Sequence, residues 1–233
     1  MAQPPFIQSF DNPLLFKSER VVCTHAKFQA SEYHQQLFSE YEIESPAILH
    51  NAVIKRKAGY LAGRYVARDA LKKLTQYSAQ IPTSVDRAPI WPEGIIGSIT
   101  HTNTEAMAAV AYSKDHQLLG LDLEEWIDPN LAQDLAYQII DEQERAAITE
   151  SGLTFEAGLT IIFSAKESLY KALYPLVKTF FGFEYARVSW IAPNTGRFEI
   201  ALVWGLNEDF SEGWKIQGQY SVTKETVLTF ICA

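Results

Sequence analysis

Two long stretches with helical periodicity, each followed by strand-like segments, constrain the fold of this 233-residue chain most strongly. In residues 46–76, apolar side chains recur at steps of three and four, the spacing of one face of an α-helix. A second such stretch covers 159–177. Short apolar runs typical of strands follow both, for example 106–112 and 227–231. The pattern predicts an α+β protein in which a long helix followed by strands occurs twice, and it hints at an internal duplication.

A strand-like segment between the two helical stretches carries a pair of acids. In residues 118–126, apolar side chains alternate with Asp122 and Glu124, so both acids are expected on one face of a strand. Two neighbouring carboxylates between leucines repel each other and lose hydration unless a positive group lies close by. A hard cation such as Mg²⁺ would meet this need, and it commonly accompanies phosphate. A pair of solvated acids on the wet face of a sheet is an equally good explanation from position alone.

The turn-like segment 113–116 separates the runs 106–112 and 118–126, which predicts that the two runs form a hairpin. His101 precedes this hairpin, beside Thr100. We therefore expect His101 and Asp122 in one neighbourhood, although a histidine at a strand edge is more often merely hydrogen-bonded.

Charged side chains on the two helical stretches offer further candidates. Glu167 and Lys171 share a helix face, so one helix could present a carboxylate to a metal and an amine to a phosphate. An ordinary pair of this spacing, worth about 0.2–0.5 kcal/mol, is the simpler alternative. The first helix carries a basic cluster for which a solvated face is the simpler explanation: Lys55, Arg56, Lys57, Arg64, Arg68, Lys72 and Lys73.

Composition and charge exclude several classes of protein. The formal net charge of −8 argues against a nucleic-acid or anionic-membrane binder, since those need a broad basic surface. Two cysteines without metal-site spacing fit a reduced compartment. The first ten residues lack the pattern of a signal peptide, and no uncharged apolar stretch approaches the ~20 residues of a transmembrane helix. We expect a cytoplasmic protein without a transmembrane segment.

Three segments in order resemble the signatures of the 4′-phosphopantetheinyl transferase superfamily, in its longer, surfactin-type form. They are 98–102 (Ser-Ile-Thr-His-Thr), 120–124 (Gly-Leu-Asp-Leu-Glu) and 163–171 (Phe-Ser-Ala-Lys-Glu-Ser-Leu-Tyr-Lys). Residues 55–64 and 87–94 are most similar to the enterobactin synthase component D branch. The resemblance covers roughly 50–175. Many relatives have Asn, Ser and Trp where Ser98, Thr100 and Phe163 stand, which bears on substrate preference.

The resemblance implies a fold and a reaction. The fold is two similar α+β halves in pseudo-two-fold arrangement, each a long helix on a small antiparallel sheet, with the active site between them. The halves would be 1–117, with the basic helix and the Thr-His motif, and 118–233, with the acids and the Lys-Glu helix. Members of the family move the phosphopantetheine arm of coenzyme A onto a serine of an apo acyl, aryl or peptidyl carrier protein, and they release 3′,5′-ADP.

The resemblance also assigns roles to single residues. Mg²⁺, with Mn²⁺ as the alternative ion, would be held by Asp122, Glu124 and Glu167. Glu167 would also be the general base, acting with the catalytic groups Lys171 and His101. Lys166 and Lys171 would neutralise the pyrophosphate, and Thr100 and His101 would contact phosphate oxygens. The 3′-phosphate or adenine end of coenzyme A would be held by Arg56, Arg64 and Arg87.

Siderophore or other non-ribosomal peptide synthesis is the pathway that the branch favours. The alternatives are a broad-range transferase for fatty-acid or polyketide carriers, a non-catalytic coenzyme A-binding relative, and a plain interaction module. Two fused halves would make a monomer sufficient.

Overall fold

The structure is a computed structural model that describes residues 6–11 and 20–233. The first five residues, on which part of the signal-peptide expectation rests, lie outside the described range. The described chain divides into two compact units, one ending at Leu119 and the other comprising Gly120–Ala233. In the part of the chain that the structure describes, every helix is too short or too polar to cross a membrane.

The first unit is an antiparallel four-stranded sheet with one long helix packed on it. Its strands, in the spatial order β1-β2-β4-β3, are β1 (Ile7–Asp11), β2 (Val21–Phe28), β3 (Ile95–His101) and β4 (Glu105–Tyr112). The helices are α1 (Leu37–Glu40) and α2 (Ile54–Thr75). Leu61, Val66 and Leu71 of α2 share one buried core with the small side chains of β4. Burying each such side chain contributes about 1.5–3 kcal/mol, so apolar burial holds α2 on the sheet.

The second unit repeats this plan with a larger sheet. Its strands, in the order β5-β9-β8-β7-β6, are β5 (Leu119–Glu125), β6 (Ala186–Ala192), β7 (Arg197–Leu202), β8 (Lys215–Val222) and β9 (Thr226–Cys232). The helices are α3 (Pro129–Ile139), α4 (Glu142–Ser151) and α5 (Phe155–Val177). The long helix α5 packs on β9, where Thr229 hydrogen-bonds both Ser164 (2.9 Å) and Ser168 (2.7 Å). These short polar side chains allow a close approach of helix and sheet.

The two units share one feature of their topology, and the predicted fold class is confirmed. In each unit, the strand before the long helix pairs with the last strand of the unit: β2 with β4, and β5 with β9. The predicted hairpin of 106–112 and 118–126 is wrong, because β4 pairs with β2 and β3, whereas β5 belongs to the other sheet. The polar turn between β4 and β5 therefore connects two units.

Candidate active site

A glycine brings the acids of β5 close to α5. A Cβ atom on Gly120 would lie 1.9 Å from the carbonyl oxygen of Ser168, so only glycine allows this strand to lie against the helix backbone. The Ser164 hydroxyl donates to the backbone oxygen of Asp122 at 3.3 Å. Lys171, two turns further along α5, then reaches Asp122 with its ammonium 2.6 Å from Oδ1. The contact between strand and helix thus places Asp122, which is 1% exposed, beside a cation.

The carboxylates of Asp122, Glu124 and Glu167 interact electrostatically where β5 meets α5. Burial, together with the negative charge of Asp122, raises the pKa of Glu124 to about 8, while Lys171 acts in the opposite direction. Burial also raises the pKa of Glu167, again against the effect of Lys171. Both acids are partly buried. Ionising all three carboxylates beside the single charge of Lys171 therefore requires further positive charge.

The donor chemistry fits a hard divalent cation, since Mg²⁺ takes carboxylate oxygens as ligands. Among the described residues, however, no three His, Cys, Asp or Glu side chains lie close enough together to hold a metal ion. In this structure Lys171 supplies the charge that faces Asp122. The joint ligation of a metal by Asp122, Glu124 and Glu167 remains a prediction.

Lys166 lies elsewhere, although it precedes Glu167 directly. Successive residues of an α-helix are turned by about 100°, so Lys166 leaves α5 on a different side from Glu167 and Lys171. Its ammonium donates to the oxygens of Ile139 (2.7 Å) and Phe183 (3.1 Å) and to Glu144 Oε2 (2.8 Å). The side chain is buried, and all three ammonium hydrogens have acceptors within the second unit. In this structure Lys166 is thus held inside the second unit, and its contact with pyrophosphate stays a prediction.

Glu144 is the buried partner that the sequence reasoning missed. Its Oε2 also accepts from the backbone N–H of Asp141 (3.1 Å), and its Oε1 accepts from that of Val188 (2.9 Å). Burial raises the pKa of Glu144 and lowers that of Lys166, while their mutual attraction opposes both shifts. Asp141 and Glu144 form a capping box at the start of α4. The three-residue spacing of Asp141 and Glu144 predicts the cap, but it does not predict that Glu144 pairs with Lys166.

In the first unit, a glycine places His101 on α2. A Cβ atom on Gly59 would lie 2.6 Å from two atoms of the His101 ring, so the imidazole rests on the helix where a side chain is missing. Ile99 approaches Gly63, one turn further along, in the same way. Arg56 is exposed and lies three residues before Gly59, hence on the same face of α2. The structure therefore puts His101 and Arg56 on one side of this helix.

The remaining predicted anion ligands differ in exposure. Arg87 is exposed, whereas Thr100 is 5% and Arg64 is 7% exposed. Arg64 donates from Nη2 to the Thr83 hydroxyl at 2.9 Å, and its guanidinium lies 4.6 Å from the centroid of the Tyr60 ring. Burial lowers the pKa of Arg64. Because it is held inside the first unit, Arg64 fits a phosphate ligand less well than Arg56 does.

An aromatic cluster that was not predicted from the sequence lies on α5 and in the segment that follows it. Tyr170 follows Glu167 by one turn, and its ring centroid is 5.3 Å from Tyr174, 5.9 Å from Phe180 and 5.1 Å from Phe181. Phe181 is buried, while Phe180 is largely exposed. Such a surface can hold an apolar portion of a ligand next to charged groups.

Comparison with known families decides the relationship. The family described as the 4′-phosphopantetheinyl transferase N-terminal domain matches residues 44–111, and that described as the 4′-phosphopantetheinyl transferase superfamily matches residues 118–231. The chain belongs to the 4′-phosphopantetheinyl transferase superfamily. The first match lies within the first unit, and the second covers nearly all of the second unit, including Asp122, Glu124, Glu167 and Lys171.

Several curated relatives point to one branch of the superfamily. Enterobactin synthase component D of Escherichia coli K12 is 34% identical over 180 residues, 76% of this chain and 80% of that protein. The Salmonella typhimurium LT2 protein of the same name is 42% identical over 142 residues, 60% of this chain and only 58% of that protein. The 4′-phosphopantetheinyl transferase PptT of Mycobacterium tuberculosis is 30% identical over 193 residues, 81% of this chain and 84% of that protein. The predicted superfamily and its component D branch are confirmed, and with them the transferase class.

Proposed function

We propose that this protein transfers the phosphopantetheine arm of coenzyme A to a serine of an apo carrier protein in siderophore or other non-ribosomal peptide synthesis. The observation that carries the proposal is the contact of Gly120 with α5, which sets Asp122 beside Lys171. Membership of the superfamily supplies the reaction class. The names of the component D relatives support the siderophore role.

The reaction is a displacement at phosphorus. The serine oxygen of the carrier forms a bond to the phosphorus that bears the pantetheine arm, and the bond from that phosphorus to the bridging pyrophosphate oxygen breaks. The serine proton must be taken up, and 3′,5′-ADP leaves with the bridging oxygen and its negative charge. No oxidation or reduction takes place.

Glu167 is the proposed general base. Burial raises its pKa, which makes the carboxylate a better proton acceptor than an exposed glutamate. Lys171 is the proposed group that neutralises the charge developing on the departing ADP, since its ammonium lies on the same face of α5. The same ammonium contacts Asp122 in this structure, so the acid holds it in place.

Asp122, Glu124 and Glu167 are the proposed ligands of Mg²⁺. When bound, the cation supplies positive charge to the pyrophosphate oxygens and lowers the repulsion of an incoming oxygen nucleophile. The acids themselves require a positive partner beyond Lys171, as the raised pKa of Glu124 indicates. We expect chelation of divalent ions to abolish transfer.

The first unit supplies the proposed contacts to the rest of coenzyme A. Arg56 and Arg87 are exposed and can pair with the 3′-phosphate, for which the planar guanidinium is well suited. His101 shares the face of α2 that carries Arg56 and is the proposed contact to a phosphate oxygen. The buried Thr100 and Arg64 are proposed to support this face from within.

A panel assay tests the proposal. The protein is incubated with coenzyme A, Mg²⁺ and purified apo aryl, peptidyl and acyl carrier proteins, and intact carriers are weighed by mass spectrometry. The expected result is a gain of one phosphopantetheine arm, fastest on aryl or peptidyl carriers. Equal rates on fatty-acid and polyketide carriers would instead identify a broad-range transferase. Coenzyme A binding without any mass gain would identify a non-catalytic relative and refute the proposal.

A further inference from the structure

Three buried hydroxyl groups form a hydrogen-bonded chain between α5 and β9. The Ser168 hydroxyl lies 2.7 Å from that of Thr229, and the Thr229 hydroxyl lies 2.9 Å from that of Ser164. All three side chains are fully buried. A buried hydroxyl costs free energy unless it is hydrogen-bonded, and apolar side chains would fill the same space without that cost. Packing of the helix on the sheet alone therefore does not explain these three polar residues.

The direction of the chain follows from counting hydrogens, since each hydroxyl donates only one. Ser164 donates its hydrogen to the backbone oxygen of Asp122 at 3.3 Å. Thr229 must therefore be the donor to Ser164, and Ser168 must be the donor to Thr229. Ser168 also has a second acceptor, the backbone oxygen of Thr229 at 3.1 Å. The chain thus begins on α5, passes through β9 and ends on the peptide of the acid in β5.

The hydroxyl chain lies on the helix face that carries Lys171. Ser164, Ser168 and Lys171 follow one another at steps of four and three residues, so they share one face of α5. Ser168 also contacts β5, because a Cβ atom on Gly120 would overlap its carbonyl oxygen. Lys171 in turn places its ammonium 2.6 Å from Asp122 Oδ1. The hydroxyl chain and the ion pair therefore join the same strand to the same face of the helix.

We propose that Thr229 is a positioning residue for the transfer reaction, because its hydroxyl relays the hydrogen bonds that hold the Asp122 peptide in register with Lys171. Hydrogen bonds in such a chain polarise and strengthen one another, so the central group supports the bonds at both ends. Thr229 is fully buried and acts through Asp122 rather than on a substrate. The inference rests on the proposed function, which assigns Asp122 to the site. It adds a residue of β9 that lies outside all three signature segments.

Thr229→Val is the test, because valine has nearly the shape of threonine, lacks the hydroxyl and is well suited to a strand. After this change both serines keep a backbone oxygen as acceptor, so neither is left without a partner. Thr229→Ser retains the hydroxyl and is the rescue variant. Thr24→Val is the matched control: it removes an equally buried hydroxyl from β2 of the first unit, where Thr24 donates to Asp69 of α2 at 3.3 Å.

The loss of a positioning residue is expected in kcat rather than in substrate binding. In steady-state transfer, Thr229→Val should lower kcat about tenfold, because small misplacements of reacting groups cost much of the rate. The KM for coenzyme A and the KM for the carrier should each stay within about twofold of the natural value. Thr229→Ser should restore most of the natural kcat, and Thr24→Val should leave it unchanged. Circular dichroism shows whether each variant is folded at the assay temperature.

A measurement that does not depend on activity follows the chain itself. The chemical shift of the Asp122 carbonyl carbon, measured by NMR, reports hydrogen bonding to that oxygen. Thr229→Val should change this shift, whereas Thr24→Val should not.

Ser164→Ala removes the last hydrogen bond of the chain directly, and alanine is well suited to a helix. This variant should lower kcat as Thr229→Val does. Because both substitutions break the same chain, the double variant should lose no more activity than either single variant.

A folded Thr229→Val variant with the natural kcat would overturn the positioning role and leave the proposed function intact. Equal losses of kcat in Thr229→Ser and Thr229→Val would also overturn it, since the loss would then depend on side-chain shape and not on the hydroxyl. If Thr229→Val does not fold, Ser164→Ala decides, and a natural kcat in that variant would overturn the role of the chain. No transfer by the natural protein would overturn the proposed function and this inference together.

Discussion

Replacing Lys166 by methionine should destabilise the protein severely and leave coenzyme A binding intact. The ammonium of Lys166 is buried and lies 2.8 Å from Glu144, which is 1% exposed. Methionine has nearly the same volume but no charge, so the variant leaves the Glu144 carboxylate buried without its partner. Breaking a buried ion pair in this way costs about 3–5 kcal/mol. The carbonyl oxygens of Ile139 and Phe183 lose a donor in addition.

Urea unfolding followed by circular dichroism measures this loss. A second substitution, Glu144→Gln, removes the stranded charge, so the double variant should recover part of the stability that Lys166→Met loses. Lys171→Met is the comparison on the same helix: it also leaves a buried carboxylate, that of Asp122, without its partner, but it should abolish transfer by the folded enzyme, which Lys166→Met should not.

The KM for coenzyme A separates a structural role of Lys166 from a phosphate contact. Measured at a temperature where the variant is folded, it should stay within about twofold of the natural value. Natural stability of Lys166→Met, combined with a KM for coenzyme A raised tenfold or more, would refute the structural role.

Three further predictions concern packing and pH. Gly120→Ala forces a Cβ into the carbonyl oxygen of Ser168, so thermal denaturation should show a loss of at least about 1–3 kcal/mol. Gly59→Ala should leave stability unchanged or raise it, because alanine favours a helix, yet it displaces the exposed His101 ring and should raise the KM for coenzyme A. The side chain of His25, on β2, hydrogen-bonds Glu105 and lowers the pKa of this carboxyl below its usual 4.5. The hydrogen bond therefore stabilises the folded protein fully above the usual pKa, and this stabilisation is lost as the pH falls through the lowered pKa. In Glu105→Gln, the free energy of unfolding should therefore fall less between pH 6 and pH 3 than in the natural protein.

The elements that depend on local periodicity could be predicted from the sequence. Both long helices form where apolar residues recur at helical steps, and the acids of β5 follow the alternation of a strand. The spacing of Glu167 and Lys171 correctly placed them on one face, because a helix fixes the angle between residues four apart.

Long-range pairing could not be predicted. A polar turn between two apolar runs favours a hairpin, yet β5 pairs with β9 at the far end of the chain. Lys166 carries the same charge as Lys171, and only its buried partner Glu144, 22 residues earlier, shows that it serves the fold. The sequence shows a glycine at position 59, but it does not predict that the ring of His101, from β3, fills the space beside it. In each case the deciding contact joins residues distant in sequence.

The most direct test of the account compares two acids of β5 in the transfer reaction. Asp122→Asn keeps the shape of a buried side chain that faces Lys171, whereas Glu125→Gln changes an exposed acid at the end of the same strand. Single-turnover incubation with coenzyme A, Mg²⁺ and an apo carrier, read by intact mass, should show no modified carrier with Asp122→Asn and the natural rate with Glu125→Gln. Full transfer by a folded Asp122→Asn variant would contradict the assignment of the reaction to the acids of β5.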